Sequence, residues 1–435
     1  MDVAMLNGTA SDSQRRPWMA RAIWGWRLEG TLSIGTIVVL VLSERLISFG
    51  PLVIVVAAVV ALRLRPNVRK SLELKIATNR EHRGLHAAMW HCAIVGRDGS
   101  TPLIVRSARI PVGSRYLVSL PIGLHFELMK RSSQELAVAL GAREVHVKTY
   151  PHNAGYVEIV VIYSNAFPRV LGSPLVGQHA VSLWEPILFG VGQDGLAVMI
   201  GLPEHNLLIG GEPGSGKSVA LSTIVASAAL DPDVRLTLLD GKHVELAAWA
   251  LVADEFVGAN QDDAVVALEG LRAVMDHRYA TLAATRRRKI APADLEGLHV
   301  LVIDELAFYL RGGKKETRDM FAELLRDLVS RGRAAGIIVI AATQKPSHEI
   351  VPTWIRDLFS FRLAMRCTSS DASDTILGQG WASQGFSAAT IDPSMRGVGY
   401  LLAEGGVPTL IMTPYLSDDE IDGIALRAFE QRRNS

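Results

Sequence analysis

Two apolar runs near the N-terminus predict a membrane hairpin. The first covers residues 30–42 and the second covers residues 46–62, with a short charged segment between them. A membrane-spanning helix needs about 20 mainly apolar residues, so the second run nearly suffices and the first must include residues on its N-terminal side. We expect two spans, at about 28–43 and 46–64. One tilted span and a buried core hairpin are the alternatives.

Positive charge flanks this pair of runs on both sides. The flanking cations are Arg15, Arg16, Arg21 and Arg27 before it and Arg63, Arg65, Arg69 and Lys70 after it. Because segments rich in Lys and Arg stay on the cytoplasmic side, both ends of the hairpin are expected in the cytoplasm. Residues 1–27 then form a cytoplasmic tail, residues 28–64 lie in the plasma membrane, and the body of the protein is cytoplasmic.

The segment after the hairpin predicts a linker and then a small α+β module. Residues 65–89 are charged, have no strong apolar period, and predict a linker or juxtamembrane helix. Residues 90–185 predict four strands bounded by Gly, Pro or Asn, with one helical stretch between the second and third. The strands are expected at Leu103–Arg106, Tyr116–Leu120, Glu144–Lys148 and Tyr156–Tyr163, and the helix at Leu124–Leu140.

From residue 186 the pattern becomes that of an α/β domain with a parallel sheet. Near-continuous apolar runs alternate with amphipathic helical stretches, as expected for repeated βαβ units whose strands are buried on both faces. These runs are Leu207–Ile209, Arg235–Leu239, Val300–Ile303 and Ile337–Ala341. We expect this domain to cover residues 186–415, followed by a C-terminal helix or tail at 416–435.

Composition narrows the class of protein. The chain has 435 residues, of which 49% are hydrophobic and 20% charged, so it is neither disordered nor a polytopic membrane protein. Two cysteines cannot build a disulfide framework. The net charge is +1, so any contact with nucleic acid requires a local basic surface.

A complete phosphate-binding motif, GEPGSGKS, covers Gly211–Ser218 between a strand and the helical run Val219–Ala229. Its glycines let the backbone wrap around phosphates, and the helix N-terminus supplies donors. Lys217 is expected on the β- and γ-phosphates of ATP and Ser218 on Mg²⁺. An ordinary glycine-rich turn is the alternative. The residues expected to contact the nucleotide are Gly211, Glu212, Pro213, Gly214, Ser215, Gly216, Lys217, Ser218 and Val219.

Polar residues follow two later strands of the same domain. The run 299–305 ends in Asp304 and Glu305, at the strand edge where α/β proteins bind ligands. We expect Asp304 to hold Mg²⁺ together with Ser218, and Glu305 to polarise the attacking water. Gln344, after the strand Ile337–Ala341, is expected near the γ-phosphate or that water. The alternative for Asp304 and Glu305 is a pair of solvated acids at a strand end, and the alternative for Gln344 is a polar turn without a function.

These motifs, in this order, resemble those of the FtsK/SpoIIIE family of membrane-anchored DNA-pumping ATPases, over about residues 90–425. The resemblance implies a RecA-like P-loop ATPase preceded by a small α+β module and a transmembrane hairpin. It also implies ATP and Mg²⁺ as cofactors, double-stranded DNA as partner, and a homo-hexameric ring. Beyond the P-loop, the similar segments are 240–246, 276–279, 313–315, 333–337, 341–347 and 416–421.

Two departures from the family pattern matter. Asp374 stands where the family often has an arginine, so an arginine acting on a neighbouring subunit must come from elsewhere. The candidates are Arg331, Arg333, Arg362 and Arg366. The chain also ends soon after the motor, without room for a winged-helix domain. This layout is similar to the transfer proteins of actinobacterial conjugative plasmids and integrative elements.

Basic residues on loops are the candidates for DNA contact, because Lys and Arg hold phosphates without reading bases. The stretch RGGKK supplies Arg311, Lys314 and Lys315, and RRRK at 286–289 is a second possibility. For both stretches the alternative is a solvated surface loop.

The sequence therefore predicts a membrane-anchored, ATP-driven double-stranded DNA translocase, moving plasmid or integrative-element DNA between cells in conjugation. The alternatives within the family are a chromosome-partitioning DNA pump and a type VII secretion-like ATPase that moves protein. The alternative from another class is a membrane scaffold that binds ATP without useful hydrolysis.

Overall fold

The structure is a computed structural model, and it describes residues 66–434 apart from residues 166, 295–296, 345, 348–349 and 404. The predicted cytoplasmic tail and membrane hairpin, residues 1–64, lie outside the described residues. Within the described part, no helix combines the length and the apolar character needed to cross a bilayer. The chain divides into two compact units between Ser164 and Asn165.

The first unit is a four-stranded antiparallel sheet with helices, and all four predicted strands are present. The strand order is β1-β2-β4-β3. The predicted helix 124–140 is two helices, because Ser132 ends one and precedes the next. The elements are α1 (Pro66–His91), β1 (Leu103–Ile110), β2 (Gly113–Ser119), α2 (Phe126–Arg131), α3 (Ser133–Leu140), β3 (Glu144–Thr149) and β4 (Tyr156–Ile162).

Helix α1 belongs to this unit, which corrects the predicted start of the module at residue 90. Leu85, Ala88 and Met89 recur at helical spacing and are buried in the core of the unit. Glu81, one turn earlier, accepts hydrogen bonds from Arg109 at 2.7 Å and from Ser114 Oγ at 2.9 Å. The charged residues around these positions hid this buried face in the sequence.

The second unit contains a ten-stranded, mostly parallel sheet, as predicted. Its order is β6-β5-β14-β13-β12-β7-β11-β10-β8-β9, in which the segment from β12 to β9 is parallel and the segment from β6 to β12 is antiparallel. The strands are β5 (Ile187–Gly192), β6 (Ala197–Ile200), β7 (Leu207–Gly210), β8 (Arg235–Asp240), β9 (Glu255–Val257), β10 (His299–Asp304), β11 (Ile337–Thr343), β12 (Phe361–Met365), β13 (Val398–Leu402) and β14 (Thr409–Met412).

Helices cover both faces of this sheet. They are α4 (Lys217–Ala229), α5 (Gln261–Ala284), α6 (Leu306–Arg311), α7 (Lys315–Arg331), α8 (Thr353–Arg356), α9 (Ser370–Leu377) and α10 (Asp418–Asn434). Short 3₁₀ turns occur at Pro174–Gly177, Ala247–Trp249, Ala382–Gln384 and Ala388–Thr390.

Alternate residues of the parallel strands enter two separate cores. Val300 and Val302 pack into the core on one face of the sheet, whereas Leu301 and Ile303 pack into the core on the other. Successive side chains of a strand point to opposite faces, so burial on both faces requires a continuous apolar run. This is the physical reason that the sequence pattern predicted these strands.

The flanking segments are part of the second unit. Helix α10 packs Ile424, Ala425 and Ala428 into the same core as α4, so the predicted C-terminal helix or tail is integral to the motor. Leu175 and Leu183 also lie in that core. Residues 165–185 therefore group with the motor, which differs from the predicted boundary after residue 185.

Candidate active site

The phosphate loop joins β7 to α4 and is held in place by neighbouring strand ends. The Gly211 amide donates to the Thr343 carbonyl at 3.2 Å, and the Ser215 carbonyl accepts from the Gly397 amide at 2.9 Å. Gly216 has a φ of 104°, and a Cβ there would lie 2.5 Å from the Gly397 nitrogen. Only glycine satisfies both constraints, so the backbone can curl tightly before α4 begins.

Lys217 and Asp304 meet at the carboxyl edge of the sheet. Lys217 is the first residue of α4, Asp304 is the last residue of β10, and the lysine Nζ donates to Asp304 Oδ1. Both side chains are buried, at 3% and 0% exposure. A buried pair of this kind is costly to form and marks a site that binds charge. The two predicted residues are therefore brought together.

The residues at this edge fit a magnesium ion. Asp304 Oδ2 is buried and has no hydrogen-bond partner among the described residues. Ser218, the second residue of α4, is half-buried beside Lys217. Carboxylate and hydroxyl oxygens are the ligands that Mg²⁺ prefers when it also holds phosphates and water. A buried carboxylate oxygen without a hydrogen-bond partner in this position is suited to bind a cation.

Glu305 occupies a left-handed backbone conformation, with φ 60° and ψ 66°, immediately before α6. Its carboxylate accepts from Thr343 Oγ1 at 3.2 Å and from the Gln344 amide at 3.3 Å. Positive φ is uncommon for a residue other than glycine and is found preferentially at functional sites. Glu305 and Gln344 are thus close, and Gln344 contacts the carboxylate through its backbone amide.

Lys242 is a site residue that the sequence reasoning missed. Its Nζ lies 3.1 Å from Glu305 Oε2. Buried Asp240, next to Asp304 in the register of β8 and β10, accepts from the amides of Lys242 at 3.1 Å and Leu246 at 2.9 Å. The position of Lys242 just past a neighbouring parallel strand was the available signal.

Arg366 contacts the phosphate loop of its own chain. Its Nη1 lies 3.1 Å from Glu212 Oε2, and its carbonyl accepts from the Glu212 amide at 3.0 Å. Arg366 directly follows β12, the strand beside β7 in the sheet. This arginine is one of the candidates for action on a neighbouring subunit, and in the structure it has a partner within its own chain.

The other candidate arginines also have partners within the chain. Arg331 binds Asp276 at 2.7 Å and Asp327 at 2.9 Å. Arg333 Nε donates to the Glu204 carbonyl. Arg362 lies 3.7 Å from Asp357.

Asp374, which replaces the family's arginine, has a structural role. Its two carboxylate oxygens accept from the amides of Gly380 at 2.9 Å and Ala382 at 2.8 Å. The side chain is 9% exposed and lies in α9. It therefore closes the turn after that helix instead of supplying a cation.

The basic stretch RGGKK lies on the turn between α6 and α7. Arg311, Lys314 and Lys315 are exposed, and Gly313 has a φ of 68°. Gln261 Nε2 donates to the Phe308 carbonyl at 2.6 Å, which ties α6, the helix that leads into the turn, to α5. Helix α6 starts directly after Glu305 and ends at Arg311. One short helix of six residues, about 9 Å long, thus joins the acidic pair to the basic turn.

Two residues of the second basic stretch, 286–289, form ion pairs with nearby carboxylates. Arg287 binds Asp294 at 2.6 Å, and this guanidinium lowers the pKa of Asp294 to about 2. Lys289 Nζ pairs with Glu204. These contacts favour the reading of this stretch as a surface loop.

Comparison with known proteins identifies the domain that holds this site. The FtsK/SpoIIIE family model matches residues 184–375. A DNA translocase FtsK from Listeria monocytogenes is 27% identical over 347 residues, covering 74% of this chain and 44% of that protein. Another, from Chlorobaculum tepidum, is 31% identical over 284 residues, covering 60% of this chain and 32% of that protein. The chain spans less than half the length of these curated relatives.

Two solved structures share the fold. The pCW3 conjugation coupling protein TcpA, in a monomer form with ATPgS, aligns with a TM-score of 0.54 at 19% identity, covering 81% of this chain and 99% of that chain. EssC (ATPases 2 and 3) from Geobacillus thermodenitrificans aligns with a TM-score of 0.50 at 16% identity, covering 62% of this chain and 52% of that chain. These two structures show the fold alone. The resemblance to the FtsK/SpoIIIE family is confirmed by the family model over residues 184–375 and by the DNA translocase relatives, and it makes this domain an ATPase domain.

Proposed function

We propose, from the membership of residues 184–375 in the FtsK/SpoIIIE family, that this protein is a membrane-anchored, ATP-driven translocase of double-stranded DNA. The observation that carries the proposal is the meeting of Lys217, Asp304 and Glu305 at one edge of the sheet, beside the phosphate loop. These are the cation, metal ligand and base that hydrolysis of a triphosphate requires.

Each of these residues has a separate proposed role in ATP hydrolysis. The loop amides and Lys217 hold the triphosphate, and the carboxylate of Glu305 orients a water molecule and accepts its proton as the γ-phosphate is attacked. Lys242 orients that carboxylate. Asp304 and Ser218 would hold Mg²⁺, which supplies neutralisation of the charge that builds up on the phosphate oxygens.

Movement is proposed to start at Glu305. Its carboxylate contacts the end of β11 and stands at the start of α6, which leads directly to the exposed cations of the RGGKK turn. A change in the contacts of Glu305 on hydrolysis would shift α6 and with it Lys314 and Lys315. Such loops suit a substrate held by its phosphate backbone without reading of bases.

DNA is the proposed substrate because the relatives with matching sequences are named DNA translocases, and its duplex form is proposed from the family resemblance. The fold shared with a conjugation coupling protein over 99% of that chain supports a role in conjugation. Anchorage through the hairpin at 28–64 rests on the apolar runs of the sequence, and assembly as a homo-hexameric ring rests on the resemblance to the family; both complete the proposal. Chromosome partitioning and movement of protein are the competing outcomes.

The test is ATP turnover by the purified full-length chain in detergent, with linear duplex DNA, with single-stranded DNA and without DNA. We expect duplex DNA to stimulate turnover strongly. Lys217→Ala should abolish the basal rate and the DNA-stimulated rate. Turnover that duplex DNA leaves unchanged would contradict a DNA motor. No turnover under any condition would favour the scaffold reading.

A further inference from the structure

The phosphate loop contains a carboxylate, which is unexpected in a loop built to bind anions. Glu212 is the second residue of the motif, and its side chain is 19% exposed. Its Oε1 is buried without a hydrogen-bond partner among the described residues. Loop amides and a helix N-terminus attract phosphate, whereas a nearby carboxylate repels it. Something must cancel this charge if a triphosphate is to bind.

Arg366 is placed to cancel it. The guanidinium binds Glu212 Oε2 at 3.1 Å, and the backbone contact from the Glu212 amide to the Arg366 carbonyl adds a second attachment. The arginine side chain is 24% exposed, so the pair is screened by solvent much less than a surface ion pair. Glu212 thereby fastens the loop to the end of β12 while its charge is neutralised.

We propose that Arg366 is a positioning residue for the nucleotide of its own subunit: it neutralises Glu212 and fixes the phosphate loop in the form that accepts a triphosphate. This inference rests on the proposed function, in that the ligand is ATP. It assigns Arg366 to the binding of ATP within one subunit rather than to hydrolysis at a neighbour.

The charge of Glu212 predicts how the affinity lost without Arg366 depends on the number of phosphates in the nucleotide. Without Arg366, the carboxylate of Glu212 repels each phosphate charge, so the lost affinity grows from AMP through ADP to ATP. The repulsion is also screened by salt, so the affinity difference between the native protein and an Arg366 variant shrinks as salt is added. Loss of packing alone would weaken the three nucleotides equally.

The experiment measures equilibrium binding of fluorescent ATP, ADP and AMP analogues to the full-length chain, without DNA. We expect Arg366→Gln to weaken ATP binding by about tenfold or more and AMP binding by about twofold or less. Arg366→Lys keeps the charge and is expected to lose about threefold or less. Removing both charges, in Glu212→Gln with Arg366→Gln, is expected to restore most of the ATP affinity lost by Arg366→Gln.

Two results would overturn the inference. One is ATP binding by Arg366→Gln equal to that of the native chain; if the turnover number of this variant is also lower, the arginine acts on a neighbouring subunit. The other is a double variant that binds ATP as weakly as Arg366→Gln. A native chain that binds no ATP would instead refute the proposed function, and one that binds ATP without stimulation by DNA would refute only the DNA motor.

Discussion

The ε-amino nitrogen of Lys242 lies 3.1 Å from the carboxylate of Glu305, the residue expected to activate water. The two residues come from loops after different strands, β8 and β10, which are neighbours in the parallel sheet. Thr343 and the Gln344 amide contact the same carboxylate from β11. Glu305 is therefore held from two sides at the edge of the sheet.

Replacement of Lys242 should impair catalysis more than binding. We expect Lys242→Met to lower the turnover number by about 10- to 100-fold, because Glu305 loses the contact that orients it, with ATP affinity within about threefold of native. Lys242→Arg should recover a large part of the rate. The measurement is steady-state turnover alongside equilibrium nucleotide binding. Weaker binding at an unchanged turnover number would contradict an orienting role.

Removal of the charge of Glu305 should leave a protein that binds ATP and does not turn it over. Glu305→Gln keeps the shape of the side chain but cannot accept the proton of the attacking water, so we expect a rate loss of about 100-fold or more. The matched control is Glu316→Gln, an exposed carboxylate in the first turn of α7. In the Glu305→Gln background, Lys242→Met should add little further loss; additive losses would show that the two residues act separately.

Substitutions in the basic turn should affect ATP turnover in the presence of DNA and not turnover with ATP alone. Replacing both Lys314 and Lys315 with Ala should reduce DNA-stimulated turnover far more than basal turnover. It should also reduce the slope of log DNA affinity against log salt concentration by about two, one for each lost phosphate contact. Arg286 and Arg288, exposed in the other basic stretch, provide the control pair. An equal fall of both rates, or an equal effect of the control pair, would contradict contact with DNA at this turn.

Folding stability should depend on pH through His299, at the strand end opposite the site. Burial, and the charges of Arg278 and Arg235 against that of Asp254, lower the pKa of His299 from 6.5 to about 4. Since the unfolded chain takes up this proton more readily, stability is full above pH 6.5 and falls progressively towards pH 4. The loss amounts to about 3 kcal/mol.

His299→Gln isolates that contribution from the other titrating groups. The side chain is 7% exposed and contacts Thr237 Oγ1 at 2.9 Å, a contact that an amide can replace. Denaturant unfolding of both proteins from pH 7 to pH 4 should show a flatter profile for the variant. Parallel profiles would indicate that His299 does not take up its proton on unfolding.

Much of the motor was predictable because its strands are buried on both faces. That burial requires continuous apolar runs, and the glycine loop and acidic pair directly follow two of them. The sequence pattern therefore predicts Lys217, Asp304 and Glu305 at one edge of the sheet. Their meeting there follows from parallel strands ending on the same side.

Long-range pairing escaped prediction. Lys242 and Arg366 acquire their roles from strand order, which puts β8 beside β10 and β12 beside β7 across long stretches of chain. The sequence predicted a linker or juxtamembrane helix at 65–89 and not the packing of helix α1 into the module, because charges surround the short apolar face of Leu85, Ala88 and Met89. Asp374 shows the converse, since a departure from a family pattern proved to be a turn-closing carboxylate.

The most direct test of the account asks whether the full-length chain moves along duplex DNA at the expense of ATP. A third strand bound to a linear duplex is a suitable roadblock, and its release can be followed with time. We predict ATP-dependent release by the native protein and no release by Lys217→Ala or Glu305→Gln. Vigorous ATP turnover by the native protein without release of the third strand would contradict the account.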